Sequence, residues 1–244
     1  MASPMAWFSE PVNPQLSQGK RTCPDTEIRR IQQSWVAGAE KWALIRLAAR
    51  TPEWIGPDHL TALGLVAQIG AGICYLLAGS NRYALLGVIV CLALNWLGDS
   101  LDGTLARVRN RQRPRYGFYV DHMTDSFGAV ALMGGLAMSG YIRAEVAIGL
   151  LIGFLMLSLQ SYLATLTLGE FRLSFWRFGP TELRILLAMG NGVLFWKPRV
   201  FFFGGQYRLF DVGGTVGLIG MTLILVFFTA QNTVRLYREA SIEP

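Results

Sequence analysis

The sequence predicts an all-α integral membrane protein, with six transmembrane helices preceded by an N-terminal amphipathic helix at the membrane interface. Three observations carry this. The 244 residues are 52% hydrophobic and only 16% charged, whereas a soluble domain carries about a quarter charged residues. The shortfall is concentrated: apart from a possible charge on His59, no charged side chain lies between Asp58 and Arg82, between Glu145 and Glu170, or between Asp211 and Arg235. Each of those runs can cross a hydrocarbon core about 30 Å thick as a helix.

Residues 1–24 are polar and broken by Pro4, Pro11 and Pro14, which predicts a flexible tail without the apolar core of a secretory signal. Pro24-Asp25 reads as a helix start. From there Ile28, Ile31, Trp35, Trp42 and Ile45 recur at helical spacing, with Arg29, Arg30, Gln33, Glu40 and Lys41 largely elsewhere on the wheel. This predicts an amphipathic helix over 25–50. A Trp-bearing apolar face with basic flanks suits the membrane interface, and the same face also suits packing on protein. Six apolar segments follow, near 59–79, 83–104, 119–142, 145–168, 181–197 and 211–234, as one domain over 57–240. The fifth is cut short by Pro198. Gly149-x-x-x-Gly153 and Gly213-x-x-x-Gly217 permit close helix contact.

The net charge of +6 is read in so apolar a chain as basic cytoplasmic loops with anionic lipid or phosphate partners, not as a nucleic-acid surface. The loop after the second segment holds Arg107, Arg109, Arg111, Arg113 and Arg115. That loop, the N-terminal helix and the loop with Arg172 and Arg177 fall on one side if six helices alternate. The side is predicted to be cytoplasmic, with both termini on it; Lys197, Arg199 and Arg208 lie on the other. Cys23, Cys74 and Cys91 are odd in number, show no metal spacing and make no disulfide framework.

The chemistry concentrates between Leu97 and Gly128. Asp99, Asp102, Asp121 and Asp125 stand at the membrane edge, where ionisable groups are costly and mark function. Asp99, Asp102, Gly103, Ala106 and Arg107 stand at i, i+3, i+4, i+7 and i+8, one face of a helix. Gly117, Asp121 and Asp125 share a face in the same way. The intervening loop is short enough to bring the faces together. At an effective dielectric of ~20, two unit charges 4 Å apart repel by about 4 kcal/mol, so four converging carboxylates call for a counter-charge. Oxygen-only ligands without His or Cys point to Mg²⁺ or Mn²⁺, one ion or two. Gly103 and Ala106 leave the helix surface bare, and Arg107 offers a planar fork for phosphate. Metal, bare surface and arginine on one face describe a pyrophosphate site.

This stretch resembles the signature of the CDP-alcohol phosphotransferase family, D-x-x-D-G-x-x-A-R followed by G-x-x-x-D-x-x-x-D. All eight signature positions are present: Asp99, Asp102, Gly103, Ala106, Arg107, Gly117, Asp121 and Asp125. Upstream, Pro57-Asp58-His59-Leu60-Thr61 is similar to the family's P-N-x-x-T, with Asp58 in place of the usual Asn. The resemblance implies a phospholipid-synthesis transferase with a six-helix catalytic domain. Asp99, Asp102, Asp121 and Asp125 would hold a pair of metal ions. Asp125 would also act as general base on the acceptor hydroxyl. Thr61, Asp102, Gly103, Ala106, Arg107 and Gly117 would bind the CDP moiety, with CMP as leaving group. A homodimer is implied as well.

Arg115 flanks the acidic cluster, and Glu182 and Arg184 open the fifth segment. All three are acceptor or phosphate candidates, with a capped helix and a structural ion pair as the alternative for the latter two. Two donor types compete. CDP-diacylglycerol is preferred as the commoner use in small six-helix members. The Gly179-Pro180-Thr181-Glu182 and Asp121-His122 stretches resemble the branch that uses CDP-ethanolamine or CDP-choline with diacylglycerol as acceptor. A different class, a divalent-cation transporter, also places carboxylates in membranes. It gives Gly103, Ala106 and Arg107 no purpose, and Arg107 would oppose cation passage.

Overall fold

A computed structural model describes residues 29–31, 37–172, 180–202 and 204–240. Among these are seven helices: α1 (Ala37–Arg50), α2 (Pro57–Ala78), α3 (Ala84–Val108), α4 (Pro114–Met138), α5 (Ala144–Leu168), α6 (Pro180–Trp196) and α7 (Leu209–Ala240). Four short strands accompany them: β1 (Arg29–Ile31), β2 (Glu170–Arg172), β3 (Arg199–Phe202) and β4 (Gly205–Arg208). The all-α membrane class holds, with each apolar segment found as a helix.

The count of six spans is not reached on length and composition. Among the described residues four helices, α2, α3, α5 and α7, are long and apolar enough to cross a membrane. In α4, Arg115, Asp121 and Asp125 interrupt the first half, and α6 has only 17 residues. The predicted tail 1–24 and parts of the predicted helix over 25–50 lie outside the described residues. Residues 29–31, expected to be helical, form β1 instead and pair in parallel with β2. That partner lies about 140 residues away, and local periodicity carries no trace of it.

Helix α1 packs on protein through a stripe other than its Trp-bearing face. Leu44 and Ala48 pack against Leu60, Leu101 and Leu105, while Trp42 and Ile45 stay exposed. Glu40, Leu44 and Ala48 stand at i, i+4 and i+8, so the glutamate belongs to the inward face.

Helix α2 is the centre of the bundle because its glycines admit two neighbours at backbone distance. A Cβ on Gly98 of α3 would lie 2.6 Å from the Leu60 carbonyl and 2.7 Å from the Gly64 nitrogen. A Cβ on Gly135 of α4 would overlap the Gly72 carbonyl. Small residues are how helices without a hydrophobic driving force between them gain packing. Around these seams lies the core: Tyr75, Leu85, Val88, Leu92, Leu132, Leu136 and Leu194. Within it Asn191 Nδ2 donates to Tyr75 Oη at 2.7 Å and to the Leu187 carbonyl at 2.8 Å, while the buried Asn191 Oδ1 has no hydrogen-bond partner among the described residues.

Helix α7 has no buried residue and packs on α5. Gly149 and Gly153 receive Leu218 and Met221, and Gly214 and Gly217 receive side chains of Val146 and Leu150. Gly213, the first residue of the expected motif, faces open space. Asp211 at the start of α7 accepts the Arg143 N–H at 2.6 Å, tying that helix to the start of α5.

Candidate active site

The acidic faces meet because α3 stops abruptly. After Val108 the chain makes a Schellman closure: the Asn110 N–H donates to the Arg107 carbonyl and the Arg111 N–H to the Ala106 carbonyl. Asn110 takes the required left-handed conformation, with φ +52°, one that Asn tolerates better than most side chains. Pro114 then opens α4 at its first position, where a missing N–H costs nothing. Asn110 and Pro114 thus fold α4 back along α3.

Carboxylate oxygens of Asp99, Asp121 and Asp125 lie within 4.8 Å of one another. Asp99 comes from α3; Asp121 and Asp125 come from consecutive turns of α4. Three half-buried oxygen donors at this spacing fit a hard divalent cation. Asp102 lies outside this triplet. Its carboxylate accepts from Thr61 Oγ1 at 2.6 Å and from the Gly103 N–H at 2.5 Å. Three of the four predicted metal residues are therefore brought together, and the fourth is held by the residue predicted with it for CDP.

Arg184 is the cation inside the cluster. Its Nη2 donates to Asp99 Oδ2 at 2.6 Å, and its Nε donates to Asn95 Oδ1 at 2.8 Å. The pair is mostly enclosed, with side-chain exposures of 14% and 22%. Asn95 Nδ2 donates in turn to the Gly64 carbonyl at 3.0 Å and to Gln68 Oε1 at 3.4 Å. One arginine against three carboxylates leaves excess negative charge for a divalent ion. The crevice here is lined by Thr61, Gly64, Gln68, Asn95 and the three acids.

Gly103, Arg107, Gly117 and Arg115 are exposed, and Ala106 is half-buried. A Cβ on Gly103 would lie 3.9 Å from Arg107 Nη1, so the guanidinium sits beside the bare patch, anchored by its Nη2 to Thr104 Oγ1 at 3.1 Å. Glu182 is half-buried. His122 packs against Phe118 and Tyr162, with centroids 4.3 and 4.9 Å away. Asp58 is exposed in the first turn of α2, where a negative charge is favourable.

Sequence reasoning missed Asn95, Gln68, Glu40 and Arg109. The first two carried a signal: uncharged amides inside apolar runs, which need partners in a membrane. Arg109 was absorbed into the topology count. Its guanidinium instead donates to the carbonyls of Ile55, Thr51 and Pro52 at 2.6, 2.8 and 2.9 Å, clamping the α1–α2 connection.

A multi-helix membrane protein whose acids gather beside an open Gly-Arg face has the layout of a cation-assisted enzyme of phosphate esters at the membrane edge. The chain belongs to the CDP-alcohol phosphatidyltransferase family, whose sequence model matches residues 54–228, from just before α2 into α7. It is also similar to an archaetidylinositol phosphate synthase of Pyrococcus horikoshii, 31% identical over 104 residues. That match covers 43% of this chain and 52% of the relative, so the chain spans about half the length of the curated relative it matches.

Proposed function

We propose that the protein transfers a substituted phosphate group from a CDP-linked donor to an alcohol, releasing CMP. The convergence of Asp99, Asp121 and Asp125 at the mouth of α3 and α4 is the observation that carries this reading. A divalent ion pair held there, Mg²⁺ or Mn²⁺, would neutralise the pyrophosphate and the departing CMP.

The remaining work falls to the chain's own groups. Gly103 leaves room for the donor pyrophosphate to approach the α3 backbone, and Arg107 beside it supplies a fork for phosphate oxygens. Thr61 holds the Asp102 carboxylate in one orientation toward the cytidine side. Ala106 and Gly117 keep the two helix faces low. Asp125 takes the proton of the acceptor hydroxyl. The hydroxyl oxygen bonds to the substituted phosphorus, the bond from that phosphorus to the bridging oxygen breaks, and CMP leaves with the electron pair. Positioning and charge neutralisation are the protein's share in phosphoryl transfer generally.

CDP-diacylglycerol is the preferred donor. A relative named for making archaetidylinositol phosphate supports a lipid on the donor and a polar alcohol as acceptor. Arg115, Glu182 and Arg184 are the side chains proposed to shape the acceptor end, with Arg184 acting from its place on Asp99. The site is proposed to face the cytoplasm, on the side of the Arg107–Arg115 loop, with both termini on that side and two copies forming a homodimer. CMP release by detergent-purified protein, with CDP-diacylglycerol or CDP-ethanolamine against matched alcohols, tests the donor. Turnover with CDP-diacylglycerol alone is expected; turnover with CDP-ethanolamine and diacylglycerol alone would reverse the assignment. Cation flux without CMP release would favour a transporter.

A further inference from the structure

One carboxylate oxygen on α1 gathers three hydrogen bonds from two other helices. Glu40 Oε1 accepts from Trp96 Nε1 at 2.8 Å, from Ser100 Oγ at 3.3 Å and from Thr181 Oγ1 at 3.1 Å. The donors are not scattered. Trp96 and Ser100 stand three residues before and one after Asp99 on α3. Thr181 stands three before Arg184 on α6. The two helix turns that carry the Arg184–Asp99 pair are therefore the two turns pinned to Glu40. Leu44 and Ala48, on the same face of α1, seat the helix against α3, so Glu40 is presented from a packed element.

We propose that Glu40 is a positioning residue for the metal site: it fixes the spacing of α3 and α6, and through it the orientation of the Asp99 carboxylate held by Arg184. The inference rests on the reading of Asp99, Asp121 and Asp125 as cation ligands. α3 and α6 are also joined by Arg184, through its bonds to Asn95 and Asp99. Without Glu40, Arg184 would have to carry more of the helix spacing as well as the carboxylate. Groups that orient a metal ligand from behind set affinity as well as geometry. The role asks for an acceptor at Oε1 and not for a negative charge, because all three partners are neutral donors.

Direct Mn²⁺ binding, read by the paramagnetic resonance signal of free Mn²⁺ over purified protein, tests this without turnover. Wild type, Glu40→Ala, Glu40→Gln and Asp121→Asn would be titrated. Glu40→Ala is expected to weaken Mn²⁺ binding about 10-fold, the lower end of what outer residues contribute. Glu40→Gln keeps the Oε1 acceptor and is expected to stay within about 3-fold of wild type. Equal affinity in wild type and Glu40→Ala would overturn the proposal, as would Glu40→Gln binding as poorly as Glu40→Ala. Absence of Mn²⁺ binding in the wild type would instead defeat the metal-site reading beneath it. Should Glu40→Ala fail to fold, the pair Trp96→Phe/Thr181→Val removes two of the three donors, with the shape nearly kept at 181 and a smaller apolar ring at 96. It is expected to weaken binding several-fold; wild-type affinity there would overturn the proposal.

Discussion

Arg184 Nη2 lies 2.6 Å from Asp99 Oδ2, so a basic side chain from α6 holds one of the three acids that converge between α3 and α4. The same guanidinium reaches Asn95, and the two bonds fix its plane. The acids are thus tied to a third helix before any cation is considered.

Replacing Arg184 by Gln leaves Asp99 beside two other carboxylates without its partner. Hydrogen bonds to charged groups contribute about 1.5–3 kcal/mol, and partial solvent access lowers that here. A fall in the melting temperature of metal-free protein is expected, shrinking in saturating Mn²⁺ as the cation replaces the lost charge. Arg184→Lys is expected to recover only part, since an ammonium cannot serve Asn95 and Asp99 with one rigid fork. Thermal melts with and without Mn²⁺ measure both effects.

Thr61→Val removes the 2.6 Å bond to Asp102 and nearly preserves shape. Asp102 then turns more freely on the donor side of the site. The KM for the CDP-linked donor is expected to rise about 10-fold, from the contribution of one hydrogen bond to a carboxylate. Thr61→Ser is expected to stay near wild type. Initial rates of CMP release against donor concentration decide it.

Gly135→Ala places a methyl group into the Gly72 carbonyl of α2. Overpacking of this kind costs about 1–3 kcal/mol, and backbone cannot step aside as a side chain can. The neighbouring Gly134 faces open space, and Gly134→Ala is expected to be silent. Melting temperatures of the two variants in one detergent make the comparison.

Arg109→Ala frees three carbonyls at residues 51, 52 and 55. Faster amide hydrogen exchange across 51–57 is expected, with the core of α2 unchanged. Arg111, exposed in the same loop, is the control and should leave exchange at wild-type rates. Arg109→Lys is expected to resemble Arg109→Ala, as one ammonium cannot span all three carbonyls.

The helices and the acid cluster were legible because both are written in local spacing. Asp99 with Asp102, and Asp121 with Asp125, fall on helix faces by sequence separation alone, and Asn110 and Pro114 mark the reversal between them. What escaped was non-local. The pairing of Arg29–Ile31 with Glu170–Arg172 joins segments far apart in the chain. Glu40 falls on the polar face of a wheel centred on Trp42 and Ile45, whereas the stripe through Leu44 and Ala48 places it inward. Asp102 could not be told from the other three acids by spacing, since its distinction is a bond to Thr61 on another helix. Arg109 looked like one more topology charge among five.

The most direct test of the central claim is cation-dependent CMP release by the purified wild type beside Asp121→Asn and Asp125→Asn. Release that requires Mn²⁺ or Mg²⁺ and falls by about 10²-fold or more in each variant, within the range for losing a general base or a metal ligand, is the result expected. Release at wild-type rates in both variants, or equal release in excess chelator, would contradict the assignment of these aspartates as the cation-holding and proton-accepting groups.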